Sequence, residues 1–186
     1  MLKSTKKKVS LYYKSKCCCL SGHRPSKLPW GYNENNLECL KFKDLVRRKL
    51  KEFVEEGITT FLTGMAEGFD MIATEILIEM KNLYKGIKII AVIPCFNQEK
   101  LWSDNQQKRY RYILEECDKT IVISESYSRT CMQERNEYMV NHSSVVFACY
   151  DNISSGGTKN TIEYAKLKNR EIVLSHSSSI YRYLFC

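Results

Sequence analysis

Histidine, proline and glycine are scarce in this chain, with three, three and eight residues among 186. So little proline and glycine excludes a collagen-like fibre or a linker array. No stretch approaches the roughly 18 apolar residues that a membrane span needs. No two of the nine cysteines are spaced CxxC, and His23, His142 and His176 have no ligand spacing relative to them. The cysteines therefore suggest neither a structural zinc site nor a disulfide framework. Cys17, Cys18, Cys19, Cys95 and Cys149 lie inside apolar, strand-like runs, where cysteine acts as a small hydrophobe. The expectation is a reduced, cytoplasmic protein with no metal and no cofactor. A Walker loop, a GxGxxG fingerprint and a nucleophile elbow are all missing, so nicotinamide redox chemistry has no direct support.

Acidic residues are absent from the first sixteen positions, which hold six lysines; the other 170 residues hold 23 basic and 21 acidic side chains. The net charge of +8 therefore belongs mostly to a basic tail, residues 1–15. The domain of residues 16–186 lacks the basic stripe of nucleic-acid binders, so nucleic acid is not the expected partner. The tail is either simply solvated or touches nucleic acid or anionic lipid. It is not a secretory signal, because no apolar segment follows the charges.

What is present is an alternation of short apolar runs with helical periodicity. Strands are expected at 17–20, 59–62, 88–93 (stopped by Pro94), 120–123, 145–150 and 172–174. Apolar residues at helical spacing run from Phe42 to Val54 before Gly57, and from Phe69 to Met80. Further helices are expected from about Ser103 to 117, over 131–141, and from the SSGGT stretch to about Lys168. This is an α/β domain around a mainly parallel sheet with helices on both faces. Such sheets bind ligands beyond the carboxyl ends of their strands, which selects the segments that carry function.

After the first strand comes Ser21-Gly22-His23-Arg24-Pro25. There Arg24 offers a fork of donors to an anion or pairs with a local acid, and His23 is either a proton shuttle or a loop hydrogen-bonding group. After the second comes Thr63-Gly64-Met65-Ala66-Glu67-Gly68-Phe69-Asp70, a glycine-spaced turn into a helix whose free N–H groups suit an anion. Asp70 caps that helix or accepts from a ribose hydroxyl. Ser155-Gly156-Gly157-Thr158 opens another helix after the fifth strand, with Lys159 and Thr161 beside it, and forms a second phosphate cradle. Arg129, Arg135 and Asn136 follow the fourth strand and can overhang the same crevice. The segment 30–34, WGYNE, is either an aromatic wall for a base or a packed loop.

In this order, SGHRP at 21–25, TGMAEGFDMIATE at 63–75, RNEYMV at 135–140 and GGTKNTIEYA at 157–165 resemble the YpsA-like branch of the SLOG superfamily, over about residues 16–175. That superfamily includes the DNA-processing protein DprA and the Lonely-guy phosphoribohydrolases. The resemblance implies a single Rossmann-like domain that binds a nucleotide-derived ligand such as AMP or ADP-ribose. It also implies a role as a signal sensor or sequestering protein in a conflict system, self-association as a dimer, and a pocket lined by Gly64, Gly68, Gly156, Gly157 and Thr158. Lonely-guy enzymes carry PGGxGTxxE, whereas this chain has Ser155 for the proline and departs from the spacing after Gly157. Phosphate binding survives that departure better than N-glycosidic hydrolysis, for which Glu163 and Glu67 are the candidate acids. A phosphoribohydrolase and a DprA-type DNA binder are the two alternatives.

Overall fold

The computed structural model describes residues 14–175; most of the basic tail, together with His176 and Cys186, lies outside them. Six strands form one parallel sheet: β1 (Cys17–Gly22), β2 (Thr60–Thr63), β3 (Lys88–Cys95), β4 (Lys119–Ser124), β5 (Val145–Cys149) and β6 (Glu171–Ser175). Their order is β4-β3-β2-β1-β5-β6, and every pairing is parallel. Five α-helices connect them: α1 (Leu37–Glu55), α2 (Phe69–Lys81), α3 (Asp104–Glu116), α4 (Cys131–Asn141) and α5 (Gly157–Leu167). The chain builds outward from β1 to β4, then crosses back to place β5 on the other side of β1. The order thus reverses between β1 and β5, and a crevice opens at such a point.

Strand alternation divides the core between two faces. Phe42, Val46, Leu50 and Phe53 of α1 and Phe69, Ile72, Ala73 and Ile76 of α2 meet Cys18, Leu20, Phe61, Ile89 and Phe147 on one face. Tyr110 and Ile113 of α3 extend that layer over Ala91 and Ile93. On the opposite face Met139 and Val140 of α4 and Ile162 and Ala165 of α5 meet Cys17, Cys19, Leu62, Val92 and Val146. Cys18 and Cys19 thus fill opposite faces as small apolar side chains, and burial pushes both thiols above their ordinary range. All eight described cysteines are free thiols. Among the described residues no helix is long and apolar enough to cross a membrane.

Two boundaries differ from expectation for identifiable reasons. β3 continues through Pro94 to Cys95. β2 pairs with it only as far as Ala91, so the proline sits where one side of β3 has no neighbour to lose a hydrogen bond to. α1 begins at Leu37, well before Phe42, because the Asn36 side chain accepts from the Glu38 amide at 2.7 Å and caps it. An ion-pair cluster then fixes the outer layer. Arg109 on α3 bonds Glu34 at 2.6 Å and Glu75 of α2 at 2.7 Å, while Lys43 lies 2.7 Å from Glu34. Burial alone would raise the Glu34 carboxyl, but Arg109 and Lys43 outweigh it and hold it below the usual range.

Candidate functional site

At the reversal point lies a cleft of about 270 Å³, walled by the loops after β1 and β5 and by one side of α4. Ten of the residues expected at the site line it: Ser21, Gly22, His23, Arg24, Asp70, Arg135, Asn136, Gly156, Gly157 and Thr158. Lys159, expected nearby, lines it as well, along with Lys27, Ala66, Met132, Ser154 and Ser155. Four of these side chains (Arg24, Lys27, Arg135 and Lys159) are cations against one carboxylate, Asp70. That balance favours an anion carrying more than one negative charge.

Arg135 is the deepest of the cations, with 5% exposure. Its Nε donates to Asn136 Oδ1 at 2.7 Å and its Nη1 to the Gly64 carbonyl; both acceptors are neutral. Among the described residues no carboxylate lies within ion-pairing distance of it, and Nη2 makes no hydrogen bond to protein. Asp70, 4% exposed, is its nearest charge complement and accepts from the Ala66 amide at 3.4 Å and from the Gly22 amide. Burial raises the Asp70 carboxyl, with Arg135 opposing, and the same burial lowers the Arg135 guanidinium, with Asp70 opposing. The pair is thus a buried charge couple without direct contact.

Opposite Arg135, α5 begins at Gly156 with no side-chain cap. The first intrahelical bond of this turn runs from the Asn160 amide to the Gly156 carbonyl, so the amides of Gly157, Thr158 and Lys159 are left for a ligand or water. Lys27 reaches over from the β1 side and donates to the Ser155 carbonyl. The Asp151 carboxylate shapes the loop between β5 and α5 by accepting from the Ile153 amide at 2.9 Å and the Ser154 amide at 2.8 Å. Burial would raise that carboxyl, but these amides and the Ser154 hydroxyl outweigh it and hold it well below the usual range.

Other expected site residues turn out to be architecture. The Thr63 hydroxyl accepts from the Met65 amide at 3.2 Å and the Thr74 hydroxyl at 3.0 Å. Met65 is fully buried in the core beneath α3. Gly64 lies against Arg135, whose Nη1 sits 2.2 Å from where a Cβ would be. At the start of α2 Gly68 packs on the loop after β1 and the Phe69 amide is taken by the His23 carbonyl at 3.2 Å, so this turn is used for packing the two loops together. Asp70 accordingly holds loop amides rather than capping that helix. Thr161 is buried and donates to the Gly157 carbonyl at 2.8 Å, within its own helix. His23 is a loop hydrogen-bonding group: its Nε2 accepts from the Asp151 amide at 3.1 Å. That bond requires a neutral ring, which agrees with a pKa lowered by burial.

Neither candidate acid lines the cleft. Glu163 is 58% exposed on α5, 3.8 Å from Lys159. Glu67 points to the far side of Arg24, 3.9 Å from its Nη1. Glu163→Gln is therefore expected to change stability by less than about 0.5 kcal/mol and to leave stabilisation by any cleft ligand intact. Loss of that stabilisation in thermal melts would return Glu163 to the site. Trp30 is core, ring to ring with Phe42 at 5.0 Å, and segment 30–34 is a packed loop that exposes Tyr32 and Asn33. Arg129 is exposed and outside the cleft. Lys27 and Met132 were not legible, since neither sits in a glycine turn nor beside another polar motif. Among the described residues no group of three or more His, Cys, Asp or Glu is placed to share a metal.

Comparison with known proteins places this geometry in a family context. The model of the YspA SLOG family (YpsA) matches residues 18–177. An SPbeta prophage-derived protein of Bacillus subtilis, YoqJ, is 34% identical over 144 residues, spanning 70% of this chain and 84% of that protein. A UPF0398 protein of Bacillus thuringiensis is 28% identical over 165 residues, spanning 87% and 88%. Among solved structures, DNA processing protein A from Helicobacter pylori, described for its single-stranded DNA binding mode, superposes with a TM-score of 0.58 at 16% identity. The match covers 95% of this chain and 75% of that one.

Proposed function

The chain belongs to the YpsA SLOG family, and from that membership together with the cleft we propose that it binds a nucleotide or nucleotide-derived ligand at the β1–β5 reversal. The phosphate sits between Arg135 and the uncapped start of α5, with Lys27 and the Asn136 amide beside it. The observation that carries this reading is Arg135, a buried guanidinium in an open cleft whose partners are all neutral. Burying a cation without a paired carboxylate is costly, and an arriving phosphate would recover that cost. The geometry favours binding over hydrolysis, because neither Glu67 nor Glu163 faces the cleft. Dimerisation, a cytoplasmic location and a sensing or sequestering role belong to the same reading.

A second reading, single-stranded DNA, is favoured by the fold likeness to DNA processing protein A and weakens the expectation against nucleic acid. One experiment addresses both. Thermal unfolding is followed with inorganic phosphate, pyrophosphate, ribose 5-phosphate, AMP, ADP-ribose and oligothymidylate at two salt concentrations. A cleft ligand at about 100 times its Kd adds about 2.7 kcal/mol, several degrees for a domain of this size. Stabilisation by a mononucleotide with modest salt dependence supports the first reading. Stabilisation by oligothymidylate alone, falling steeply with salt, supports the second, and a flat panel overturns the phosphate cradle.

A further inference from the structure

Arg24 lines the cleft on one side, and on the other its guanidinium lies over the Trp102 ring, 5.9 Å from the centroid. Its Nη1 is 3.9 Å from Glu67 Oε2, and the other oxygen of that carboxylate accepts from the Tyr32 hydroxyl at 3.5 Å. A continuous strip therefore leads out of the anion cleft across Arg24 to an indole face, a phenol and a carboxylate. Tyr32 is 61% exposed and Trp102 half-buried, held edge-on by Tyr110 at 5.4 Å. Glu67 is 9% exposed, and among the described residues the long contact to Arg24 is its one ion pair. One edge of the Trp102 ring serves the core beside Tyr110, but the sheet is complete without the contacts among Arg24, Glu67 and Tyr32, and the ion pair that ties α3 to α2 runs through Glu75.

We propose that this strip is a base subsite, and that the ligand is a phosphate ester carrying a planar nitrogen heterocycle with an exocyclic amino group. The inference rests on the phosphate reading of the cleft and deepens it. With the phosphate at Arg135 and the start of α5, the ring extends past Arg24 and stacks on Trp102. Stacking releases the Arg24 guanidinium towards the anion, exchanging an exposed cation–π contact for a charge-assisted hydrogen bond. The Glu67 carboxylate has acceptor capacity left once Tyr32 donates to one oxygen, so it takes an amino N–H of the base. A ring with a carbonyl in place of the amino group would oppose oxygen to carboxylate and is disfavoured.

The test uses the full chain and fluorescence, since Trp30 and Trp102 are its two tryptophans and Trp30 is in the core. AMP is expected to quench emission in the wild type but not in Trp102→Phe, which keeps the packing on Tyr110. Ribose 5-phosphate is expected to stabilise the protein without quenching. Inosine monophosphate is expected to bind about tenfold more weakly than AMP, a gap that Glu67→Gln narrows. Quenching by AMP that persists in Trp102→Phe overturns the subsite. So do equal affinities for AMP, inosine monophosphate and ribose 5-phosphate, although these leave the phosphate reading standing. Failure of every phosphate compound to bind overturns both.

Discussion

Replacing Arg135 by lysine is expected to weaken AMP binding by about 10- to 150-fold while most of the fold's stability remains. Lysine keeps a positive charge and can still donate to the Gly64 carbonyl, but it lacks the planar fork that serves that carbonyl, Asn136 and an anion together. The loss equals one or more charge-assisted hydrogen bonds, about 1.5–3 kcal/mol, which converts to that range of affinity. Arg135→Ala adds a second effect. It leaves Asn136 Oδ1 without its donor and the Gly64 carbonyl with only the long 3.5 Å bond from Gln98 Nε2, and it deprives buried Asp70 of its nearest cation. Stability is then expected to fall by about 2–4 kcal/mol. Calorimetric titration with AMP reads the first effect and denaturant unfolding the second. A lysine variant that binds AMP as tightly as the wild type would remove Arg135 from the site.

Element order was legible in the sequence because the strands are short apolar runs and the first two helices carry a 3.6-residue stripe. Strand order was not, since no local pattern says that the chain crosses back over β1 after β4. That crossing decides which glycine turns meet. The β1 and β5 loops flank the reversal and form the cleft. The β2 turn, though it holds as many glycines as the β5 loop, lies one strand away, where its spacing serves close packing against His23 and Arg135. Thr161 and Met65 were misplaced for the same reason: residue type and position near a turn do not reveal whether a side chain faces ligand or core. Trp102 carried no signal at all, for it lies in a polar segment far in sequence from Arg24 and meets it only through folding.

Gly68→Ala is expected to be among the most damaging single substitutions in the domain, costing about 3–4 kcal/mol. The glycine stands at φ +90°, where an alanine is strained by about 1–2 kcal/mol. Its Cβ would lie 2.4 Å from the His23 carbonyl oxygen and 3.1 Å from Pro25 Cδ. The first neighbour is backbone and cannot swing aside, so the loop after β1 must move or the α2 N-terminus must lift off it. Gly57 isolates the two costs, because it has φ +91° and open space, with nothing within 4 Å of where a Cβ would be. Gly57→Ala should therefore lose only the conformational part, about 1–2 kcal/mol. The expected drop in melting temperature is roughly 10 °C for Gly68→Ala and about a third of that for Gly57→Ala. Because the displaced loop carries His23 and Arg24, the Gly68 variant should also lose AMP stabilisation at temperatures where it is still folded. Equal melting temperatures for the two variants would mean that the contact between the β2 turn and the β1 loop is loose, and the cleft with it.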